Sequence, residues 1–255
     1  MHVRELTLIA LTGIPEVEAG ASLPDIILQA LDRSGASLAA ADVLVVAQKI
    51  VSKVEGRRVP LADVQPSERA RALAVQAQKD PRLMELVLRE AREVLRVKPG
   101  IVIVEHRLGF VMANAGIDQS NLAPGESESV LLLPENPDAS AARLRAVIAA
   151  ACGVDVGVII NDSFGRAWRN GVTGVAIGVA GVPALVDMRG RTDRAGRELR
   201  VTEIAAADEL AAAASLVMGQ TGEGLPVVLA RGFPYALRES SAAELVRPRA
   251  QDLFR

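Results

Sequence analysis

The sequence predicts an α/β (mixed α+β) protein, and three observations carry that reading. Two short β-branched runs, DVLVVA at 42–47 and VGVIIN at 156–161, read as buried strands. Between the strands, longer segments place apolar residues at helical spacing. Half of the 255 residues are hydrophobic and 24% are charged, enough for a real core and too apolar for a disordered chain.

In chain order, Val3–Ala10 alternates as a strand and closes at Thr12-Gly13. Pro24–Ser34 reads as a helix with Ser22 at its N-cap. Asp42–Ala47 is the first buried strand. Glu68–Arg96 is a long helical stretch broken at Asp80-Pro81. Ile101–Glu105 and Val130–Leu133 read as strands, the second ended by Pro134. Ala139–Cys152 is an alanine-rich helix and Val156–Asn161 the second buried strand. Glu203–Met218 is a helix, followed by a glycine-rich turn and the strand Pro226–Ala230. Tyr235–Arg255 is polar and arginine-rich and reads as a loosely docked tail. Candidate boundaries fall at Pro124-Gly125 and Pro134–Pro137.

Composition removes several classes of chemistry. The formal net charge is −2, so no overall basic field grips nucleic acid or anionic lipid. The lone Cys152 excludes an intramolecular disulfide, a cysteine zinc site and an iron–sulfur cluster. With only His2 and His106, HExxH and two-His-one-carboxylate sites are out, and a Ser–His–Asp triad would have to use His106. No apolar run reaches the length of a membrane span and the N-terminus is no signal peptide, so a soluble, cytoplasmic protein is expected. Arginine outnumbers lysine 25 to 4, which makes the pair Lys49 and Lys53 stand out.

Four polar segments sit at strand ends, where α/β proteins place their sites. Gln48–Lys53 follows DVLVVA, and a lysine just beyond a strand can meet phosphate oxygens; the alternative is a solvated loop with ordinary surface lysines. Gly116–Asn121 holds Asp118, an oxygen ligand for Mg²⁺ or Mn²⁺, or else the head of an Asx-turn. Asn161–Gly171 combines Asp162, Ser163, Arg166, Arg169 and the only tryptophan. Phosphoryl transfer needs cations and hard oxygens, and this segment supplies both; the alternative is a salt-bridged turn. Met218–Pro226 has three glycines in six residues, which lets backbone N–H groups approach an anion, or caps a helix through Gly219. No Gly-Lys pair and no GxGxxG occur, so a nucleotide would need a nonstandard site. The run Gly171, Gly174, Gly178, Gly181 reads as close packing of small residues.

Taken together, these segments resemble the F420-0:L-glutamate ligase family. The likeness rests on LTGIPEV at 11–17, VVAQKIVSKVEGR at 45–57, RLGFVMANAGIDQSN at 107–121 and NDSFGRAWRNGVTGVAIGVAG at 161–181, extended by VTEIAAADELAAAASLVMGQTGEG at 201–224 and ARGF at 230–233. It implies a GTP-dependent amide ligase that joins L-glutamate to the deazaflavin F420-0, on a large mixed-sheet, two-lobed protomer that forms a homodimer. It implies a ligase domain over 1–233, a tail over 234–255 and no fused nitroreductase-like domain. By the same resemblance, Ile14, Pro15, Glu16 and Val17 line the GTP site, Lys53 meets phosphate, and Asn121 meets the nucleotide. Gln48 stands where some relatives have serine. Met218, Gly219, Gln220, Thr221, Gly222, Glu223, Gly224 and Leu225 wrap the nucleotide. Asp118 and Asp162 hold one divalent metal, Mg²⁺ or Mn²⁺, and Ser163 and Gln220 a second, with K⁺ as a further implied ion. Gln220 is neutral where relatives can carry glutamate, which weakens a metal site.

Arg166 and Arg169 are candidates from residue chemistry alone, since arginine grips phosphate and carboxylate bidentately. Lys49 has no counterpart role in the family and serves as a surface control for Lys53. Two other readings stay open: an acyl-phosphate ligase on the same scaffold with another carboxylate acceptor, and a nucleotide-binding module without catalysis. The Asp118/Asp162 pair argues against the second.

Overall fold

The computed structural model describes residues 4–119 and 128–253. The strands and helices are, in order, β1 (Thr7–Ala10), α1 (Leu23–Arg33), β2 (Val43–Ala47), α2 (Gln48–Val54), β3 (Arg58–Pro60), α3 (Glu68–Ala77), α4 (Pro81–Glu90), β4 (Ala91–Lys98), β5 (Ile101–His106), β6 (Val111–Ala113) and β7 (Ser129–Leu131). Then follow α5 (Pro137–Cys152), β8 (Gly157–Arg166), β9 (Arg169–Ala180), β10 (Val186–Asp187), β11 (Glu203–Ile204), α6 (Ala206–Met218) and β12 (Val227–Arg231). The expected mixture of helices and strands is what forms.

A five-stranded sheet in the order β1-β12-β2-β8-β9 organises the molecule. All neighbours are antiparallel except β2 and β8, which run parallel with Ala47 opposite Asn161. Side chains alternate across this sheet, as strand geometry demands. Leu44, Val46, Val158 and Ile160 face α1 and α5 in one core, whereas Val43, Val45 and Ile159 face α6 in another. A third core lies within 61–132, where α3 and α4 pack on β4-β5-β6 and on the β3–β7 pair. Gly56 and Arg57 at one end, and Leu132 to Asn136 at the other, join this part to the sheet. Arg57 donates to Leu133 O and ion-pairs with Glu90. Burial works against that carboxylate, but His106, Arg107 and Arg57 together hold it down at about 2.

Several boundaries have local causes. Asp80 caps α4 by accepting from Arg82 N, with Pro81 at the first turn, so the helical stretch does break there. Ser22 sits at the N-cap of α1 without a side-chain cap bond. Residues 91–96 are not helix. Their backbone pairs with β5, and strand β4 begins where α4 stops. Gln48–Lys53 is not a loop but the body of α2. The segment Asn161–Gly171 is not a loop either: β8 runs on to Arg166, turns at Ala167-Trp168, and returns as β9. The tail is docked rather than loose among its described residues. Ser241 and Ala242 N donate to Asp138, Ser240 donates to Val182 O, and Arg238 ion-pairs with Glu244.

The glycine spacing is close packing at Gly174, Gly178 and Gly181, whereas a Cβ on Gly171 would meet nothing within 4 Å. A Cβ on Gly174 would stand 2.4 Å from Ala211 O and 2.2 Å from Ser215 Oγ of α6, and one on Gly178 2.5 Å from the backbone of Pro137. Gly174→Ala is expected to cost roughly 1–3 kcal/mol, because the obstacle is helix backbone. Gly165→Ala, with open space around it, should change stability by no more than about 0.5 kcal/mol. Equal melting temperatures for the two variants would contradict this packing.

Candidate functional site

β2 and β8 end side by side, and the chain leaves each in a different way. After Ala47, α2 begins at once, which carries Gln48, Lys49 and Lys53 over the sheet edge. Past Asn161, β8 continues, so Asp162 and Ser163 stay at the same level on a neighbouring strand. The crevice outside the carboxyl ends of parallel strands is where open α/β sheets bind ligands. Two more segments close it. The turn Ile14–Val17 comes over from β1, and Met218–Pro226 comes from the end of α6. Together they enclose a cavity of about 370 Å³.

The lining of this cavity contains Ile14, Pro15, Glu16, Val17, Gln48, Lys53, Asp162, Ser163 and the whole run Met218–Leu225. Three of the four polar segments therefore meet, together with the turn Ile14–Val17. Asp118 joins them from the third core. A turn of three successive left-handed residues, Asn114, Ala115 and Gly116, leads into it, and reciprocal backbone bonds to Leu131 fix its position. Its carboxylate lies 2.8 Å from Lys49 Nζ. Asn121 lies outside the described residues.

The electrostatics tie these groups into one unit. Asp162 has its carboxyl pushed up to about 7, chiefly by burial and further by the charge of Asp118; the Ser163 N–H and Lys49 pull the other way. Two carboxylates that repel through a shared space, with a hydroxyl beside one of them, form a hard-oxygen donor set. Such donors suit Mg²⁺ or Mn²⁺. Asp118, Asp162 and Ser163 carry oxygen donors of the kind such an ion takes, and Gln220 belongs to the same cavity lining as Asp162 and Ser163.

Two cavity groups suited to anions are engaged by carboxylates of the chain itself. Lys53 Nζ, whose side chain is 11% exposed, pairs with the exposed Glu16. Thr221 N–H and its hydroxyl donate to Glu223, which folds against Gly219. Gly219 is the helix cap that its sequence position suggested. Its φ of 75° is the left-handed region that favours glycine, and a Cβ there would displace the Glu223 carboxylate.

Lys49 is the residue that sequence reasoning missed. It is not a surface control: it lines the cavity and ion-pairs with Asp118. The missed signal is its position one residue after Gln48 at the start of α2. Arg166 and Arg169 are not part of the lining; they flank the exposed tip of the β8–β9 hairpin. His106 is fully buried, accepts from Leu108 N and lies 3.3 Å from Glu90, away from the cavity. Among the described residues no helix is long and apolar enough to cross a membrane.

An open α/β sheet with a cleft at the ends of its parallel strands, lined by carboxylates, lysines and a glycine-rich turn, is the kind of site that suits a charged small molecule. Comparison with known proteins makes that class particular. The family profile of F420-0:Gamma-glutamyl ligase matches residues 13–232, and the chain belongs to that family. It is 44% identical over 252 residues to the coenzyme F420:L-glutamate ligase of Methanothermobacter thermautotrophicus, covering 98% of this chain and 99% of that protein. The protein of the same name from Methanopyrus kandleri is 46% identical over 244 residues, 94% of each chain. That from Methanocaldococcus jannaschii is 44% identical over 214 residues, 84% of each. The chain is thus a ligase by family.

Proposed function

We propose that the protein is a GTP-dependent amide ligase that joins L-glutamate to F420-0 through an acyl phosphate. The observation that carries this is the convergence on one cavity of lysines, carboxylates and a glycine-rich turn from distant parts of the chain.

A carboxylate does not react usefully with an amine, because oxide would have to leave. In the first step an oxygen of the F420-0 carboxylate attacks the γ-phosphorus of GTP, the bond to the β-phosphate oxygen breaks, and GDP departs. The glutamate α-amine then attacks the acyl carbon, the carbon–oxygen bond to phosphate breaks, and the amine proton leaves with phosphate. The protein's part is to position the reactants and to neutralise charge. Lys53 exchanges Glu16 for a phosphate oxygen. Lys49 lies where a second phosphate or the acyl phosphate comes to rest. The backbone N–H groups of 219–224 cradle phosphates. Asp118 and Asp162 would hold one divalent metal and Ser163 and Gln220 a second, whose charge would offset that of the migrating phosphoryl group. The site uses no histidine. A homodimer, K⁺ and a place in the cytoplasm belong to the same reading.

The test is one assay: purified protein with GTP, Mn²⁺, L-glutamate and F420-0, products read by mass. F420-0 gaining a glutamate residue, with GDP and phosphate released, is expected. Turnover should stop in excess EDTA and return with added Mg²⁺ or Mn²⁺; full activity in EDTA would remove the metal from the scheme. Activity with an unrelated carboxylate alone would instead favour a ligase of another acceptor.

A further inference from the structure

The tip of the β8–β9 hairpin is built at some cost. Arg166 pairs with Arg169, so Ala167-Trp168 makes a two-residue turn. Trp168 takes a φ of 58° there. That left-handed region suits glycine or asparagine, and a bulky side chain in it is a genuine outlier. The side chain is also 82% exposed, in a protein that places most of its apolar bulk in three cores. The guanidinium groups on either side add to the pattern. Among the described residues, neither Arg166 nor Arg169 makes an ion pair; Arg166 makes only a long contact of 3.4 Å to Asn170 O. An exposed tryptophan held in a left-handed turn between two arginines is a local departure.

Its position gives the departure a meaning. The same strand carries Asp162 and Ser163 at the cavity wall, and Arg166 follows four residues later. At about 3.3 Å per residue the tip stands roughly 13 Å or more beyond Asp162. Phe164, between the two, is partly buried and packs edge-on against Phe110, which stiffens this stretch.

We propose that the hairpin tip is the acceptor subsite: Trp168 stacks on the flat ring of the deazaflavin acceptor, and Arg166 and Arg169 face the anionic groups on the chain that links ring to carboxylate. The reactive carboxylate then reaches the cavity at Asp162 and Ser163 while the ring remains outside it. Aromatic faces suit such a ring, and flanking cations suit its charge. This assignment rests on the ligase reading above and adds to it where acceptor specificity resides.

The chain's single tryptophan makes the test direct. Wild-type, Trp168→Ala and Trp168→Phe enzymes are compared for KM of F420-0, GTP and glutamate, for tryptophan fluorescence on titration with F420-0, and for molecular mass in solution. Expected are fluorescence quenching in the wild type and a KM for F420-0 raised about tenfold or more in Trp168→Ala. The KM values of GTP and glutamate should stay within about twofold, the mass should be unchanged, and Trp168→Phe should recover most of the loss. If the wild type forms no product from F420-0, the ligase reading fails and this inference with it. If the wild type turns over and Trp168→Ala keeps its KM for F420-0, the inference alone fails. It also fails if all three KM values rise together or if the rise accompanies a changed mass, since the tip then serves folding or contact between copies.

Discussion

Asp162→Asn is expected to leave a folded protein that has lost several orders of magnitude in turnover. The amide keeps the shape and removes the charge that holds metal against phosphate. That neutralisation is worth several kcal/mol, at 1.36 kcal/mol per factor of ten. Stability should move the other way. The carboxyl titrates near 7 in the folded chain against an ordinary 3.8, so the folded state holds an extra proton between those values. Its contribution is complete below about pH 4 and is lost as pH rises through 7. In metal-free buffer, Asp162→Asn should therefore gain melting temperature relative to wild type on going from pH 5 to pH 8. Near-normal turnover with the same metal requirement would remove Asp162 from the site. A variant far less stable at pH 8 would contradict the electrostatics.

The second large effect belongs to Lys53. Its ammonium is largely buried beside the cavity and held by Glu16. Lys53→Ala should cost a charge-assisted contact of roughly 1.5–3 kcal/mol, or about ten- to hundredfold in GTP affinity or rate. Lys49→Ala should also impair turnover, because it leaves Asp118 without that cation. The fitting control is Lys98, at the exposed end of β4, and Lys98→Ala should leave the GTP dependence unchanged. Similar small effects at Lys53 and Lys98 would make Lys53 an ordinary surface lysine.

Much of this was legible before any coordinates. DVLVVA and VGVIIN had to be central strands, because only burial on both faces tolerates runs of β-branched residues with no polar alternation. Their polar continuations then had to meet if the strands lay side by side. The misreadings have physical causes as well. QKIVSKV is too short for helical periodicity to register, and its form follows from the abrupt end of β2. AREVLRVK continues the apolar spacing of α4, and only pairing with β5 settles it as strand. Asp162–Arg166 lacks apolar alternation and is held straight by β9, whose glycines admit α6. The role of Lys49 was invisible because its partner, Asp118, arrives from a different core.

The parallel pairing of β2 with β8 also governs when the protein becomes functional during folding. Ala47 and Asn161 meet only after the chain has closed a loop spanning everything from 48 to 160, third core included. Contacts of such sequence separation repay their closure entropy late and set slow folding rates. The third core, built from contacts within 61–132, can form sooner and presents Asp118 before its counterpart on β8 is in place. A one-residue slip of β8 against β2 would turn Asp162 to the opposite face. Recovery of ligand binding after dilution from denaturant should thus lag behind recovery of helical signal, and that lag measures the time taken to bring the two strand ends together in register.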